Sequence, residues 1–560
     1  MNEYQQAKQL HEKGELHNAK KLYESYLKTH ADEAQVYDDY GVLLAQLGDY
    51  GNAKKQFEQA LKQGLANHHV YNHLANIHKQ EGDYPNAINY FEKALLVDEN
   101  YAATWNNLAN VYFAMNNLQK AQEFYAKAVS LYPEYEDALI NMALCAYKQN
   151  NTEAAKSTLQ KVNKINKKNR QANLLLGNIA FGEQDFQLAE KYYESVLDGE
   201  IVSSDAMNNL AACYIKRDKI NKAEALLQTV INIFPENYVA ISNVANLFFL
   251  QDKYDQAIEQ YQLLLPQKDY QYTANFNLGV IFMRQRKWEQ ALAHFDQVLQ
   301  FNANDANAHV NYATIQLKLG HRDTAIEHYQ YALSLTPDNP IATYRLAALS
   351  DAQTPDKAPD EYVKQLFDDY AAYFDIDLME KLNYRLPDTL YQAAYFYLPE
   401  ENQMTIIDLG CGTGLAARLF SKHAEKIIGI DLSEKMLAYA DKKGYYQQLI
   451  CDDLIQGLQQ CDEKADLMIA ADVFVYLGDL QETFLAAKKK LKQTGKFVFT
   501  VERGTEQDYQ LQATGRYVHT NEYIRQLVRA TGFEMLDEQL IVLRKQQGNE
   551  IMGYLFVLTV

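Results

Sequence analysis

The chain has 560 residues, of which 48% are hydrophobic, and a formal net charge of −19 at pH 7. This length and apolar content allow several buried cores, so at least two domains are expected. The acidic balance argues against nucleic acid as the main partner. The five cysteines form no C-x-x-C pair and no metal-ligand cluster, so we predict no metal site and a reduced, cytoplasmic setting.

Two further features bear on location. The first residues, "MNEYQQAKQLHEKGEL", have no apolar core and do not resemble a signal peptide. No run of about 18 apolar residues occurs, so no membrane span is predicted, and the apolar "IMGYLFVLTV" at the end is predicted to be a buried strand.

A period of 34 residues dominates the first 350 positions. Small residues stand twelve places before a recurrent alanine, and mostly aromatic residues stand four places after it. The alanines are Ala19, Ala53, Ala87, Ala121, Ala155, Ala189, Ala223, Ala257, Ala291 and Ala325. A fixed period of this length indicates a stack of identical supersecondary units.

Each unit is predicted to be a pair of helices. In "TWNNLANVYFAMNNLQKAQEFYAKAVSLYP", Trp105, Leu108 and Tyr112 recur at helical spacing, "MNN" turns the chain, and Pro133 ends the second helix. This pattern resembles the tetratricopeptide repeat. The resemblance implies an α-solenoid over residues 1–350, with about ten repeats, a capping helix and a concave face that binds protein or peptide.

Asparagine recurs at one further repeat position, where Leu175 is the single exception: Asn107, Asn141, Asn209, Asn243, Asn277 and Asn311. Helix propensity does not favour asparagine, whereas its amide can pair with the backbone of an extended peptide. Asparagine ladders of this kind line the groove in some tetratricopeptide superhelices. Polar residues on a solvated helix face are the alternative interpretation.

The pattern changes after "SDAQTPDKAPDEY", for which we predict a short hinge, with a linker at residues 351–359 and a second domain at 360–560. "TIIDLG", "KIIGID", "YQQLICDD", "ADLMIAADVF" and "GKFVFTVE" are predicted strands with helices between them. The expected fold is α/β and Rossmann-like, with a mostly parallel sheet. A terminal hairpin, "LIVLRKQ" and "IMGYLFVLTV", is expected to close the sheet antiparallel.

The stretch "IIDLGCGTGLAA" places a glycine loop after the first of these strands. "GTGLAA" by itself fits the G-x-G-x-x-A of dinucleotide sites, but a lone match is weak evidence. Acids follow the strands at Asp408, Asp431, Asp453 and Asp472, and the carboxyl ends of parallel strands line one crevice. Four carboxylates would repel a pyrophosphate, whereas they suit S-adenosylmethionine, which carries a sulfonium and an ammonium and lacks phosphate.

These segments resemble class I S-adenosylmethionine-dependent methyltransferases over about residues 367–560. The resemblance implies that Gly410, Gly412 and Gly414 contact the methionine part and that Asp431 contacts the ribose. It also implies that Leu432 and Met436 flank the adenosine, that Asp453 or its neighbour Asp452 contacts the adenine, and that Asp408 and Asp472 lie at the same site. "LFDDYAAYFDIDLMEKLNYRLP" resembles the entry helices of a subgroup with appended repeats, in which Tyr370 and Arg385 close over the cofactor; ordinary helix packing is the alternative.

The methyl acceptor and the catalytic residue stay open. Methyl transfer needs alignment above all, and a base only when the acceptor arrives protonated. Glu502, Arg516, Tyr517 and His519 overlook the predicted crevice, and His519 is the catalytic candidate unless the helix cap beside it merely fixes its place. We therefore predict a cytoplasmic methyltransferase whose repeats recruit a protein substrate or partner, with no nucleic acid or membrane partner. The alternative is a scaffold whose second domain binds cofactor but is inactive.

Overall fold

The computed structural model describes residues 2–198, 202–350, 354–371, 374–376, 385–399, 403–546 and 549–560. The chain forms two compact units, Met1–Gln260 and Tyr261–Val560, and each is described by itself. Within the described ranges, every helix is too short or too polar to cross a lipid bilayer.

The first unit is entirely helical in its described part, as the periodicity predicts. Its helices are α1 Glu3–Glu12, α2 Leu16–Leu27, α3 Ala34–Gln46, α4 Tyr50–Lys62, α5 His68–Gln80, α6 Tyr84–Val97, α7 Ala102–Ala114, α8 Leu118–Leu131, α9 Glu136–Lys148, α10 Thr152–Ile165, α11 Arg170–Gly182, α12 Phe186–Leu197, α13 Ser204–Lys216, α14 Ile220–Ile233, α15 Tyr238–Leu250 and the greater part of α16 Tyr254–Leu264. They follow one another as the antiparallel pairs of a solenoid.

The second unit begins with the last repeats and continues into the α/β domain. Its helices after α16 are α17 Gln271–Arg284, α18 Trp288–Phe301, α19 Ala306–Lys318, α20 Arg322–Leu335, α21 Pro340–Leu349, α22 Asp360–Tyr370, α23 Phe374–Ile376, α24 Leu386–Ala394, α25 Ala417–Phe420, α26 Glu434–Lys443, α27 Leu454–Gln460, α28 Gln481–Lys490 and α29 Asn521–Thr531. Helices α1 to α20 make ten pairs, and α21 is the predicted capping helix.

Close packing inside each pair explains the small and aromatic positions of the repeat. The recurrent alanines are fully buried, and so are the residues four places after them. A methyl group on Gly41 would lie 2.6 Å from the ring of Phe57, and one on Gly177 would lie 2.5 Å from the ring of Tyr193. Glycine therefore lets the ring of the second helix lie against the backbone of the first.

The turn inside each pair holds one residue in the left-handed region, with φ between 56° and 88°. This residue also recurs every 34 positions: Gly14, Gly48, Gly82, Asn116, Asn150, Gln184, Asp218, Asp252, Arg286 and Gly320. Four of the ten are glycine and four are Asn or Asp, which adopt this conformation readily, so the turn persists against residue type only at Gln184 and Arg286.

The α/β domain has a seven-stranded sheet in the order β3-β2-β1-β4-β5-β9-β8. Strands β1 to β5 are parallel, β9 is antiparallel to β5, and β8 pairs with β9 as the predicted terminal hairpin. The strands of this sheet are β1 Met404–Leu409, β2 Ala424–Asp431, β3 Gln448–Cys451, β4 Ala465–Ala470, β5 Leu491–Glu502, β8 Glu534–Gln546 and β9 Asn549–Thr559.

Two apolar layers cover the sheet, because alternate strand residues point to opposite faces. Ile407 and Phe499 belong to the layer on one face, while Ile406 and Val498 belong to the layer on the other. A separate short hairpin, β6 Tyr509–Leu511 with β7 Tyr517–His519, lies in the segment after β5 and was not predicted.

The predicted hinge is fixed to the α/β domain where the structure describes it. The amide of Gly478 donates to the carbonyl of Asp356 at 2.7 Å, and the amide of Ala358 donates to the carbonyl of Tyr476 at 2.9 Å. Residues 351–353 lie outside the described ranges. The predicted hinge and the domain limits at 350 and 359 stay predictions.

The capping helix α21 packs on the α/β domain. Tyr344 is 1% exposed, and its hydroxyl donates to the carbonyl of Gly515 at 2.9 Å. Its ring shares an apolar cluster with Tyr362 of α22 and Tyr517 of β7. The end of the solenoid is therefore built into the same compact unit as the sheet.

Candidate functional site

A cavity of about 490 Å³ opens at the carboxyl ends of β1, β2, β3 and β4. Its lining residues come from the loops after these strands, from α22, from the β6–β7 hairpin, and from α19 and α21 of the solenoid. Clefts of this size at the carboxyl edge of a parallel sheet bind small molecules.

The glycine loop forms one wall of this cavity. Gly410, Gly412 and Gly414 have φ values of 61°, 52° and 82°, a conformation that L side chains rarely adopt. Gly410 and Gly412 line the cavity, whereas Gly414 lies against Tyr446 and does not. The loop thus presents bare backbone at two of its three predicted positions.

Asp431 ends β2 and lies next to the loop. One carboxylate oxygen accepts the amide hydrogen of Gly412 at 2.8 Å, and the other accepts that of Ser433 at 2.9 Å. Burial raises the pKa of Asp431 to about 6, although these two hydrogen bonds favour its charged form. Asp431 lines the cavity, as does Leu432 beside it.

Asp453 also lines the cavity, and it caps α27 by accepting the amide hydrogen of Ile455 at 2.9 Å. Asp452, the alternative adenine contact, binds the Gln460 amide at 2.7 Å and is not in the wall. Met436 is fully buried in the domain and does not line the cavity. Its place beside the adenosine stays a prediction.

Asp408 is buried and does not line the cavity, so its contact with the ligand stays a prediction. The carboxylate is 2% exposed and accepts the Tyr446 hydroxyl at 2.7 Å. Burial raises the pKa of Asp408 to about 7. The carboxylate of this β1 residue is thus satisfied inside the domain by Tyr446, 38 positions further along the chain.

Asp472 lines the cavity, but its charge is already compensated. It binds Arg516 at 2.8 Å and Arg544 at 3.0 Å, and Glu502 binds the same Arg544 at 2.6 Å. We name these four residues the paired cluster. Three of the four predicted acids, Asp431, Asp453 and Asp472, thus line the cavity, and of these only Asp431 and Asp453 have no Lys or Arg partner among the described residues.

The two predicted entry-helix residues differ in position. Tyr370, at the end of α22, lines the cavity, and the guanidinium of Arg286 lies 5.3 Å from its ring centre. Arg385 is exposed before α24 and is not in the described wall. Residues 372–373 and 377–384 of the same segment lie outside the described ranges.

His519 is not a cavity residue. It is 0% exposed, and its Nε2 lies 2.9 Å from the carbonyl oxygen of Gly478. Burial lowers its pKa to about 4, which leaves the ring neutral near pH 7. Its position contradicts the catalytic prediction. Of its neighbours, Tyr517 donates to the carbonyl of Pro355, and Glu502 belongs to the paired cluster.

The structure adds site residues that the sequence did not indicate. Lys318 and Arg345 of the solenoid line the cavity, and so do the rings of Tyr362 and Tyr476. Lys318 and Arg345 lie within the repeats and the capping helix, where the 34-residue period is the main pattern in the sequence. No local motif distinguishes them from other surface cations.

Known families match both parts of the chain. A methyltransferase domain matches residues 407–499, and tetratricopeptide repeat families match residues 34–63, 67–134, 116–179, 180–240, 243–309 and 306–339. The methyltransferase match includes the glycine loop and β1 to β4. The chain is therefore a tetratricopeptide-repeat protein fused to a methyltransferase domain.

Individual relatives resemble only parts of the chain. A Geobacillus protein named as a methyltransferase is 27% identical over 149 residues, 26% of this chain and 60% of its own length. The ubiquinone biosynthesis O-methyltransferase of Coxiella burnetii is 26% identical over 152 residues, 24% of this chain and 64% of its own length. The chain thus spans less than two thirds of each. The solved structure of PilF from Pseudomonas aeruginosa is 19% identical to this chain. The match covers 37% of this chain and 94% of PilF, with a TM-score of 0.34.

Proposed function

We propose that this protein transfers the methyl group of S-adenosylmethionine to an acceptor bound in the 490 Å³ cavity. One observation supports this above all. Bare backbone at Gly410 and Gly412 and the unpaired carboxylates of Asp431 and Asp453 line the same cavity. These are the groups that a cationic ligand without phosphate needs.

The described residues fit that ligand. The Asp431 carboxylate is held at the wall by two backbone amides, so it is preorganised to accept hydrogen bonds from ribose hydroxyls. Asp453, fixed as the cap of α27, can accept from an adenine amino group. Asp431 could bind the ribose of a dinucleotide as well. The methyltransferase is supported over the dehydrogenase alternative by the unpaired acid Asp453 and by the methyltransferase family match over residues 407–499.

S-adenosylmethionine would supply a methyl carbon already activated by the sulfonium. The chain has only to align this carbon with the acceptor and to exclude water. Phe367 and Tyr476 line the cavity, with their ring centres 5.5 Å apart, and give it an apolar surface. Burial raises the pKa of Tyr476 to about 12, so its hydroxyl stays protonated and can donate to an acceptor but not deprotonate one.

Titration calorimetry with S-adenosylmethionine, S-adenosylhomocysteine and NAD tests the cofactor. We expect the first two to bind, and binding of NAD alone would refute the proposal. Transfer of a labelled methyl group into cell extracts then tests activity. A protein that binds the cofactor but labels no extract would instead support the inactive scaffold.

We also propose that the repeats bind an extended protein segment that is, or carries, the acceptor. The six recurrent asparagines are all half-buried, and Asn141 and Asn209 already donate to asparagines of the preceding repeat at 3.1 and 3.0 Å. Covalent linkage would raise the local concentration of such a substrate to the order of millimolar. Localisation or oligomerisation through the repeats is the alternative.

Replacing Asn243, Asn277 and Asn311 together with alanine tests recruitment, and these three are preferable to Asn209, which has a partner. The KM for the natural acceptor should rise at least about tenfold, since three amide bonds are lost and each contributes about 0.5–1.5 kcal/mol. Cofactor affinity should not change. Alanine at the exposed Asn232 is the control. An unchanged KM would exclude the asparagine ladder as the binding surface.

A further inference from the structure

The end of the solenoid contributes two cations to the cavity. Lys318 is the last residue of α19, and Arg345 lies in α21. Both line the cavity together with Tyr362 and Gly515. Arg345 is only 7% exposed, so the fold holds a guanidinium in the wall with little access to bulk water.

These two cations differ from the others in the described wall. Lys357 pairs with Asp360 at 2.9 Å, and Arg516 and Arg544 belong to the paired cluster. No acid among the described residues pairs with Lys318 or Arg345, although all five cations line the cavity. The positive charge that remains for a ligand is therefore that of Lys318 and Arg345.

Burial makes the charge of Arg345 costly without a ligand, and Lys318, although exposed, lies close enough to feel this charge. The guanidinium of Arg345 lies 4.7 Å from the ring centre of Tyr362, which compensates a buried cation only in part. Removal of water by the surrounding protein lowers the pKa of Lys318, and the positive charges of Arg345 and Arg286 lower it further. An anion between Lys318 and Arg345 would relieve this repulsion and replace the missing water.

The unpaired acids come from a different part of the wall. Asp431 and Asp453 follow β2 and β3 beside the glycine loop, whereas the cations come from the solenoid helices and face the β6–β7 turn at Gly515. The cavity therefore has unpaired charge of both signs from separate elements. The acids suit the cationic cofactor, so the cations remain for the second substrate.

We propose that the methyl acceptor carries an anionic group, a carboxylate or a phosphate, that binds between Lys318 and Arg345. This inference rests on the proposed methyltransferase function and deepens it, because it gives the end of the solenoid a role in acceptor specificity. An acceptor of this kind is recognised by charge and by the planar, forked donors of the guanidinium.

The test measures anion binding to the full-length protein saturated with S-adenosylhomocysteine. Inorganic phosphate, followed by its phosphorus-31 linewidth, and acetate, followed by saturation-transfer difference NMR, are the probes; acetamide is the neutral control. Lys318→Gln should weaken anion binding about tenfold, as loss of one charge-assisted hydrogen bond does. Arg345→Lys should retain it better than Arg345→Gln. Whichever probe binds more tightly, phosphate or acetate, indicates whether the anionic group of the acceptor is a phosphate or a carboxylate.

Lys216 offers a matched control, since it ends α13 as Lys318 ends α19, at the same position of its repeat and outside the cavity wall. Lys216→Gln should bind the anions as the wild type does. Three outcomes would overturn the inference: no anion binding by the wild type, equal binding by Lys318→Gln, or equal binding of acetamide.

Calorimetry with S-adenosylhomocysteine distinguishes an effect on anion binding from an effect on cofactor binding. If Lys318→Gln also lost affinity for S-adenosylhomocysteine, the cations would serve the cofactor carboxylate. A wild type that bound anions but no S-adenosylhomocysteine would refute the proposed function and, with it, the acceptor role.

Discussion

The charged residues at the cavity are of two kinds, those with an ion-pair partner and those without one. We assign the first kind to the stability of the fold and the second kind to ligand binding. In the paired cluster, Asp472 and Glu502 neutralise Arg516 and Arg544, whose charges are buried with their partners. Asp431, Asp453, Lys318 and Arg345 line the same cavity without an ion-pair partner in the described chain. We expect changes in the first group to cost stability and changes in the second to cost affinity.

The largest effect should follow from breaking the paired cluster. Asp472→Asn leaves Arg516 and Arg544 with Glu502 alone, and the side chain of Arg544 is only 4% exposed. Leaving a buried charge unpaired costs about 3–5 kcal/mol, so thermal unfolding should shift to clearly lower temperature. Asp453→Asn is the matched control, because asparagine caps a helix as well as aspartate does. Equal stability of the two variants would contradict the comparison.

A somewhat smaller loss of stability is expected when His519 is replaced, because it is a buried polar residue that does not line the cavity. His519→Ala removes a fully buried ring and should cost about 2–4 kcal/mol, as large-to-small core substitutions do. Methyl transfer per folded molecule should stay the same. A loss of kcat without a loss of stability would restore His519 as a catalytic residue.

Among the unpaired residues, Asp431 should have the clearest effect on the cofactor. Asp431→Asn retains the shape of the side chain but loses its charge and one acceptor for the amides of Gly412 and Ser433. Calorimetry should show S-adenosylhomocysteine affinity reduced by about 1–3 kcal/mol, the value of a hydrogen bond to a charged group. Unchanged affinity would show that this carboxylate does not contact the ligand.

The smallest effect is a pH dependence from the same carboxylate. Burial raises the pKa of Asp431 to about 6, so the charged form is lost as pH falls below 6. S-adenosylmethionine affinity should therefore fall about tenfold between pH 7 and pH 5. Asp431→Asn should bind with no such slope, and a slope that persisted in this variant would assign it to another group.

The pH dependence of folding stability has the opposite sign to the pH dependence of cofactor affinity. A carboxyl group with a raised pKa binds its proton more tightly in the folded than in the unfolded chain. Asp408, with a pKa raised to about 7, and Asp431 thus contribute most to stability at low pH, and this contribution is lost as pH rises through 6 to 7. Weaker binding at pH 5 would consequently not arise from the loss of these two contributions to folding.

Periodicity and strand pattern were sufficient to predict the helix pairs, the parallel sheet and the place of the glycine loop, since these depend on local spacing. The site was predicted less well because charge compensation is a tertiary property. Arg544 reaches Asp472 across 72 positions of sequence, and no motif records this pairing. Asp408 is likewise buried and bonded to Tyr446, which lies 38 positions away in sequence.

Residues within the repeats were the hardest to assign. Lys318 and Lys216 occupy the same repeat position, yet Lys318 lines the cavity, because it lies in the end of the solenoid that shares a compact unit with the sheet. A period identifies what the repeats share. It cannot identify the one repeat that meets a different neighbour.

The Tyr344 hydroxyl donates to the Gly515 carbonyl, and a cluster of rings surrounds it. These contacts limit how this chain can evolve by recombination. Repeats that contact only other repeats can be duplicated or deleted in steps of 34 residues, because each new junction repeats an old one. The last repeat and its cap are joined on one side to the sheet domain and to its cavity. Because Arg286 of the preceding repeat also contacts Tyr370 of α22, changes in solenoid length are expected upstream of residue 271, while the segment from there to the sheet must be inherited as one block.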